Sequence, residues 1–357
     1  MKKLTKVQKT IIKWICVLVI LALIVYVFRD SAGPIIRELK RTSFKIIAVI
    51  ILLTIGYGLC ESLITCILAK QYNSDYRYIE ALGMTYFCSF YRVATLGSGA
   101  GVSAVVYLNA CGLKGSEALG MYTVEYAIHK LSTAVLAGVL FITNYAYMMN
   151  QFADYKWYLL LGFIATIIIT ACLMLFACAS WFHRFLYFIM DKVNFKGRFT
   201  EQFDKVKAQC MIMEDASKKL LKNVKVVTGI LLINLVKFCF WFIIPYFVLY
   251  NTGRVEPYSS LGITAVCVML AAVIPTPAGI GSSEFVLIAL YSGLVGSARA
   301  GAMALLYRFA TFVVPFLIGV IIAILFGRIK KKELQRQMNR KVELPNEEDS
   351  NRNIGAC

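Results

Sequence analysis

Pro275-Thr276-Pro277-Ala278-Gly279-Ile280-Gly281 stands in the middle of an apolar stretch from residue 261 to 292, and Thr95-Leu96-Gly97-Ser98-Gly99-Ala100-Gly101 stands in the middle of another, from 80 to 111. Proline removes a helix donor and clashes with the preceding turn, and runs of glycine disfavour a helix. Each stretch therefore reads as two short arms joined by a break. The arm from 261 to 274 would be about 21 Å long at 1.5 Å per residue, short of a hydrocarbon core of roughly 30 Å. Two re-entrant helical hairpins are the expectation here, not full spans.

Six longer apolar blocks surround them, at 11–28, 44–69, 117–142, 157–180, 226–250 and 298–326. A spanning helix needs about 20 apolar residues, and these blocks supply them. No small-residue cleavage site follows the first block, so it reads as an anchor and not as a removed signal peptide. The composition agrees: 59% of the 357 residues are hydrophobic and 16% charged, against roughly 45–50% and about 25% in soluble domains. The fold class expected is an all-α polytopic membrane protein with six spanning helices and two re-entrant hairpins.

The formal net charge of +18 could suggest nucleic acid, but its placement does not. Residues 1–13 carry five lysines, 182–225 carry ten Lys/Arg against five acids, and 328–341 carry seven against one. Clusters of this kind beside spans mark the cytoplasmic side, where they also meet anionic headgroups. Both termini and the 182–225 loop are thus expected to be cytoplasmic. The stretch 29–43, with Arg29, Arg37, Lys40 and Arg41 against Asp30 and Glu38, runs against that rule. Most of the eleven cysteines lie in apolar blocks with no Cys-x-x-Cys spacing, so neither a metal site nor a disulfide framework is expected.

With these sides fixed, each broken stretch must begin and end on one side of the membrane. A shift of 181 residues lays Thr95 on Thr276, Val105 on Val286, Gly112-Leu113 on Gly293-Leu294, Gly115-Ser116 on Gly296-Ser297, Gly120 on Gly301 and Tyr126 on Tyr307. The two hairpins enter from opposite sides, so the halves, about 44–142 and 225–326, read as inverted repeats. Residues 1–327 form one membrane domain on this reading, and 328–357 form a basic, then disordered, tail. The breaks are expected to line a polar site near the midplane, since irregular backbone is tolerated there only beside protein or water. Free N–H groups at the start of the second arms, near Ser98 to Ser103 and Ala278 to Ser283, would offer a cradle for phosphate, and Thr95, Ser98, Gly99, Thr276, Gly279 and Gly281 are expected substrate contacts there. Close packing of small residues is the structural alternative.

Charged residues inside spans are costly and read as functional or paired: Glu61, Glu125, His129, Lys130, Lys237, Glu284 and Arg308. Glu125, His129 and Ser132 fall within about 60° of one another on a helix and make one polar stripe. Glu61 and Lys237 lie at depths that differ by only about 5 Å, which predicts a buried structural pair. Glu284 follows the second break, where a helix dipole favours its charge, and Arg308 lies roughly 15 Å below the outer end of its span. Arg92, Glu117 and Arg299 read as snorkelling residues near helix ends. Residues 199–222 alternate apolar and basic positions at helical spacing, as an interfacial amphipathic helix or a solvated linker helix would.

The run Pro275 to Glu284, then Gly293-Leu294 and Ala304-Leu305-Leu306-Tyr307-Arg308, resembles the lysylphosphatidylglycerol synthase membrane-region family, the flippase part of the bacterial multiple peptide resistance factor. The family pattern is Pro-Thr-Pro-Gly-Gly-(Ile/Leu)-Gly with a glutamate after it and an arginine in a Leu-Tyr-Arg context; Ala278 departs from it. The resemblance runs from about residue 11 to 327. It implies a lipid flippase of the bacterial plasma membrane, for a phospholipid such as aminoacylated phosphatidylglycerol. Full-length members add a soluble acyltransferase domain that uses lysyl-tRNA, for which about thirty residues after the last block leave no room.

Membrane phospholipids are thus the expected partners, a separate synthase is a second, and a homo-oligomer is compatible with both. Alternatives are a membrane partner of a synthase or glycosyltransferase, and carriage of a polyprenyl-phosphate lipid. Catalysis is disfavoured, with no nucleophile motif or phosphate loop and only His129 and His183 as imidazoles, and no cofactor is expected. Substrate contacts are expected from Glu284, Arg308, Glu125, His129 and the two breaks.

Overall fold

A computed structural model describes residues 33, 35–97, 99–152, 156–193, 200–271, 274, 276, 279 and 281–327. All regular structure among these residues is helical. The first half comprises α1 (Phe44–Ala69), α2 (Tyr78–Ala94), α3 (Gly99–Ala110) and α4 (Gly115–Thr143). A middle section follows, with α5 (Tyr145–Phe152), α6 (Lys156–Cys178), α7 (Ser180–Val193) and α8 (Thr200–Lys222). The last section holds α9 (Val224–Phe242), α10 (Ile244–Leu249), α11 (Pro257–Ala271), α12 (Ser282–Val295) and α13 (Ser297–Arg308).

Helix α10 and a 3₁₀ turn extend α9 to Thr252, and a π turn at Phe309–Val313 carries α13 on to Gly327. Four helices, Phe44–Ala69, Gly115–Thr143, Val224–Thr252 and Ser297–Gly327, are then long and apolar enough to cross a bilayer. They coincide with four of the six apolar blocks, and the chain is a multi-pass membrane protein. Block 157–180 is the helix α6, with part of its side chains outside the described residues, and block 11–28 lies outside them altogether.

Three helices begin on one chemical device. Glu80 Oε2 accepts the Arg77 N–H at 2.7 Å, Glu117 Oε2 the Lys114 N–H at 3.2 Å, and Glu284 Oε2 the Gly281 N–H at 3.0 Å. A carboxylate in the first turn meets both an orphan donor and the positive end of the helix dipole. Glu117, read from the sequence as a snorkelling residue, is therefore a helix-starting group.

The two broken stretches form helix pairs, α2 with α3 and α11 with α12, and none of the four arms exceeds 17 residues. Asn73 Nδ2, just before α2, donates to the Cys111 carbonyl just after α3 at 3.2 Å, so this pair leaves and returns at one place. Arg254 Nη1, just before α11, donates to the Leu294 carbonyl at the end of α12 at 3.3 Å and closes the second pair in the same way. At the first break Leu96 has φ of 53° and Gly97 of 96°, while Thr95 Oγ1 accepts the Gly99 N–H at 2.6 Å. A non-glycine residue with positive φ is strained, and such strain gathers at functional breaks.

Two apolar cores result. One gathers α1 to α4 with Leu220 of α8 and Ile230 of α9; the other gathers α10 to α13 with Ile50 of α1 and Met148 of α5. A smaller cluster of Tyr57, Ala137, Phe238, Phe242, Ala265 and Met269 joins them through α1, α4, α9 and α11. The expected 182–225 loop is built as two helices. Helix α8 docks on α4 with Ala216, Ser217 and Leu220 buried, and Tyr72 donates to the Ala216 carbonyl at 2.6 Å. Its inner end is thus packed on protein, where the sequence suggested only an interfacial or solvated helix. Of its apolar residues, the side chains of Phe203, Val206 and Met213 lie outside the described set.

Candidate functional site

A cavity of about 480 Å³ opens between α1, α2, the start of α3, α4 and the π turn. Glu61, Arg92, Glu125, His129, Lys130 and Phe312 are among its lining residues. Around it the helices are apolar, so the charges have few partners but one another. Lys237 is fully buried, and its Nζ lies 2.5 Å from Glu61 Oε2, 2.5 Å from Asn234 Oδ1 and 3.1 Å from His129 Nδ1. Its ammonium also faces the rings of Tyr57 at 5.3 Å and Phe238 at 4.9 Å. Both rings add attraction to a desolvated cation.

One turn from His129 on α4, Glu125 accepts a hydrogen bond from Thr65 Oγ1 at 2.7 Å. Its other oxygen is buried without a partner among the described residues. Ser132, the third member of the sequence stripe, bonds back to its own helix at the Ile128 carbonyl and does not join the network. The stripe thus ends at His129, which meets Phe238 edge-on at 4.9 Å between centroids.

Arg92 is exposed on the cavity wall, and sequence reasoning missed it by reading it as a snorkelling residue. Its place beside the break was the available signal. Fourteen residues along α2 from Tyr78, it stands about 21 Å from the start of the arm, at the tip and not at the mouth of the pair. Lys130, also on the wall, holds its amine 5.4 Å from the Tyr126 ring.

The second pair is separate. Arg308 Nη1 donates to Glu284 Oε1, and the remaining Glu284 oxygen accepts from Gly281 N and from Ser283 Oγ at 2.8 Å. Arg308 is 5% exposed, and its Nη2 is buried without a partner among the described residues. Its guanidinium lies 4.7 Å from the centroid of Phe312, whose ring belongs to the cavity wall. The π turn after Arg308 brings these together: Thr54 Oγ1 donates to the Ala310 carbonyl at 3.1 Å, a contact that satisfies backbone inside that turn.

At the second break, Thr276 Oγ1 donates to Ser282 Oγ at 2.9 Å, and Gly279 and Gly281 take φ of 71° and 84°, which glycine alone adopts without strain. The N–H groups expected to be free are partly used internally, Gly99 by Thr95 and Gly281 by Glu284. Ser98 lies outside the described residues. The structure therefore gathers Glu61, Glu125, His129 and Lys237 at one cavity and Glu284 with Arg308 at its edge. No group of three or more His, Cys, Asp and Glu residues suited to a metal occurs among the described residues.

Residues 13–319 match the family described as Lysylphosphatidylglycerol synthase TM region. No curated protein matches the chain.

Proposed function

From the premise that the chain belongs to the lysylphosphatidylglycerol synthase transmembrane-region family, we propose that it carries phospholipids between the leaflets of a bacterial plasma membrane. The observation that carries this reading is the charged cavity of about 480 Å³ set among apolar helices, with the buried Arg308–Glu284 pair at its edge. A headgroup needs such a polar path, while acyl chains can stay in the surrounding lipid. The order of elements supports alternating access: a long helix, a closed pair of short arms and a second long helix occur as α1 to α4, and again as α9 to α13. On this reading the pairs are re-entrant hairpins of two inverted repeats, and both termini are cytoplasmic.

Arg308 supplies the anion contact. Its planar fork suits phosphate, and the unpartnered Nη2 leaves half of that fork available. A bound phosphate would take Arg308 and release Glu284 toward a cationic group on the headgroup, so zwitterionic or aminoacylated lipids would be favoured over simple anionic ones. Reconstitution in liposomes with labelled phospholipids tests this. Parental protein should move the label between leaflets, and Arg308→Lys, which keeps charge and loses the fork, should slow it at least tenfold with normal expression. Transport at the parental rate in both Arg308→Lys and Glu284→Gln would make the pair scaffolding.

A further inference from the structure

Lys237 has three N–H groups and three acceptors around it, on Glu61, Asn234 and His129. An ammonium accepts nothing, so His129 Nδ1 must be the acceptor in its contact. That assigns the ring hydrogen to Nε2 and leaves the imidazole neutral. Glu61 and Lys237 then cancel, and the ammonium has no donor left for a second carboxylate.

Glu125 is that second carboxylate. It is 8% exposed, receives one hydrogen bond from Thr65, and keeps Oε2 buried without a partner among the described residues. The charged and titratable groups that share its cavity or act on it electrostatically are Glu61 from α1, Lys237 from α9, Tyr76 from the turn before α2, Cys88 and Arg92 from α2, and Tyr122 and His129 from α4 itself. None is a cation in contact with Glu125. A buried charge without a partner is expensive enough that such a group takes a proton instead.

We propose that Glu125 is a proton-binding site opening on the cavity, and that its proton drives the movement of the carried molecule; the second clause rests on the lipid reading above. In the state described here the proton resides on Oε2. On release it passes to cavity water, the electron pair of the O–H bond stays on the carboxylate, and nothing is oxidised or reduced. The new negative charge competes with Glu61 for Lys237. With two carboxylates, one ammonium and one proton, the ammonium pairs with one carboxylate while the proton sits on the other. That exchange moves α9 relative to α4 at the seam between the two cores, where Phe238 and Ala137 pack in one cluster.

Two measurements test this on the full chain. Infrared titration of the protein in lipid nanodiscs should show the carbonyl stretch of a protonated carboxylic acid near neutral pH. The band should be absent from Glu125→Gln and shifted in Glu125→Asp. In liposomes with a fluorescent zwitterionic phospholipid, an imposed pH gradient should speed transport several-fold in the parent and have no effect on the rate of Glu125→Gln. A missing Glu125 band, or gradient dependence that survives Glu125→Gln, overturns the proposal. A Glu125 band in protein that moves no labelled lipid keeps the proton site and overturns the lipid reading.

Discussion

At Lys237 the geometry sets a hierarchy of costs. The residue is fully buried with three hydrogen-bond partners, while the Glu61 side chain keeps 24% of its surface. Losing the ammonium strands Glu61, Asn234 and His129 together; losing the carboxylate strands only Lys237. Breaking a buried pair from one side costs about 3–5 kcal/mol. Lys237→Met is therefore expected at the upper end of that range and Glu61→Gln below it, with the double variant more stable than the sum of the two losses. Thermal unfolding in detergent reads this, and simple additivity would mean that the two residues do not act as a pair. The depth arithmetic of the sequence set Glu61 and Lys237 level with each other, because both sit on uninterrupted helices of known rise. It could not find Thr65 or Asn234, whose roles depend on helix rotation.

Between elements, closeness is set by glycine. A Cβ on Gly319 would lie 2.3 Å from the Tyr86 carbonyl oxygen and 2.9 Å from the Phe90 nitrogen, both backbone atoms of α2. The continuation of α13 therefore rests backbone on backbone against α2, as small residues allow in membrane helices. Gly319→Ala must push these helices apart, and overpacking of this kind costs about 1–3 kcal/mol. Gly301, earlier on the same helix, has nothing within 4 Å of a Cβ. Alanine there should be neutral or stabilising by roughly 0.5–1 kcal/mol, since glycine is the poorer helix former. Melting temperatures of the two variants should move apart; equal shifts would place the α2–α13 contact elsewhere. Both breaks were legible as Gly- and Pro-rich interruptions. The π turn was not, because nothing in Phe309–Val313 departs from an ordinary apolar helix until Thr54 offers its hydroxyl to the Ala310 carbonyl.

For the whole molecule, the turn before α2 is the point where sidedness can be read. It is tied to the end of α3 through Asn73 and to α8 through Tyr72 and Lys219, whose Nζ lies 3.2 Å from the Gln71 carbonyl. Helix α1, at 26 residues and about 39 Å, separates Lys45 from Lys70. A membrane-impermeant amine reagent should thus modify Lys70, Lys114, Lys219 and Lys222 together in inside-out vesicles and Lys45 only in right-side-out ones. Modification of Lys70 and Lys219 from opposite faces would break the proposed topology.

The sequence by itself determined the class, the two broken stretches, the family and, among six expected spans, the four that are long apolar helices, because hydropathy over twenty residues and glycine or proline at a break act locally along one chain. Only the tertiary structure decided that Arg92 stands on a cavity wall, that Glu117 starts a helix, that α8 packs on α4, and that Glu125 keeps one oxygen without a partner. Each of these depends on which faces of separate helices are turned toward one another. That choice is made by packing among many side chains, α4 meeting α1, α3, α8 and α9 at once, and no single segment carries it.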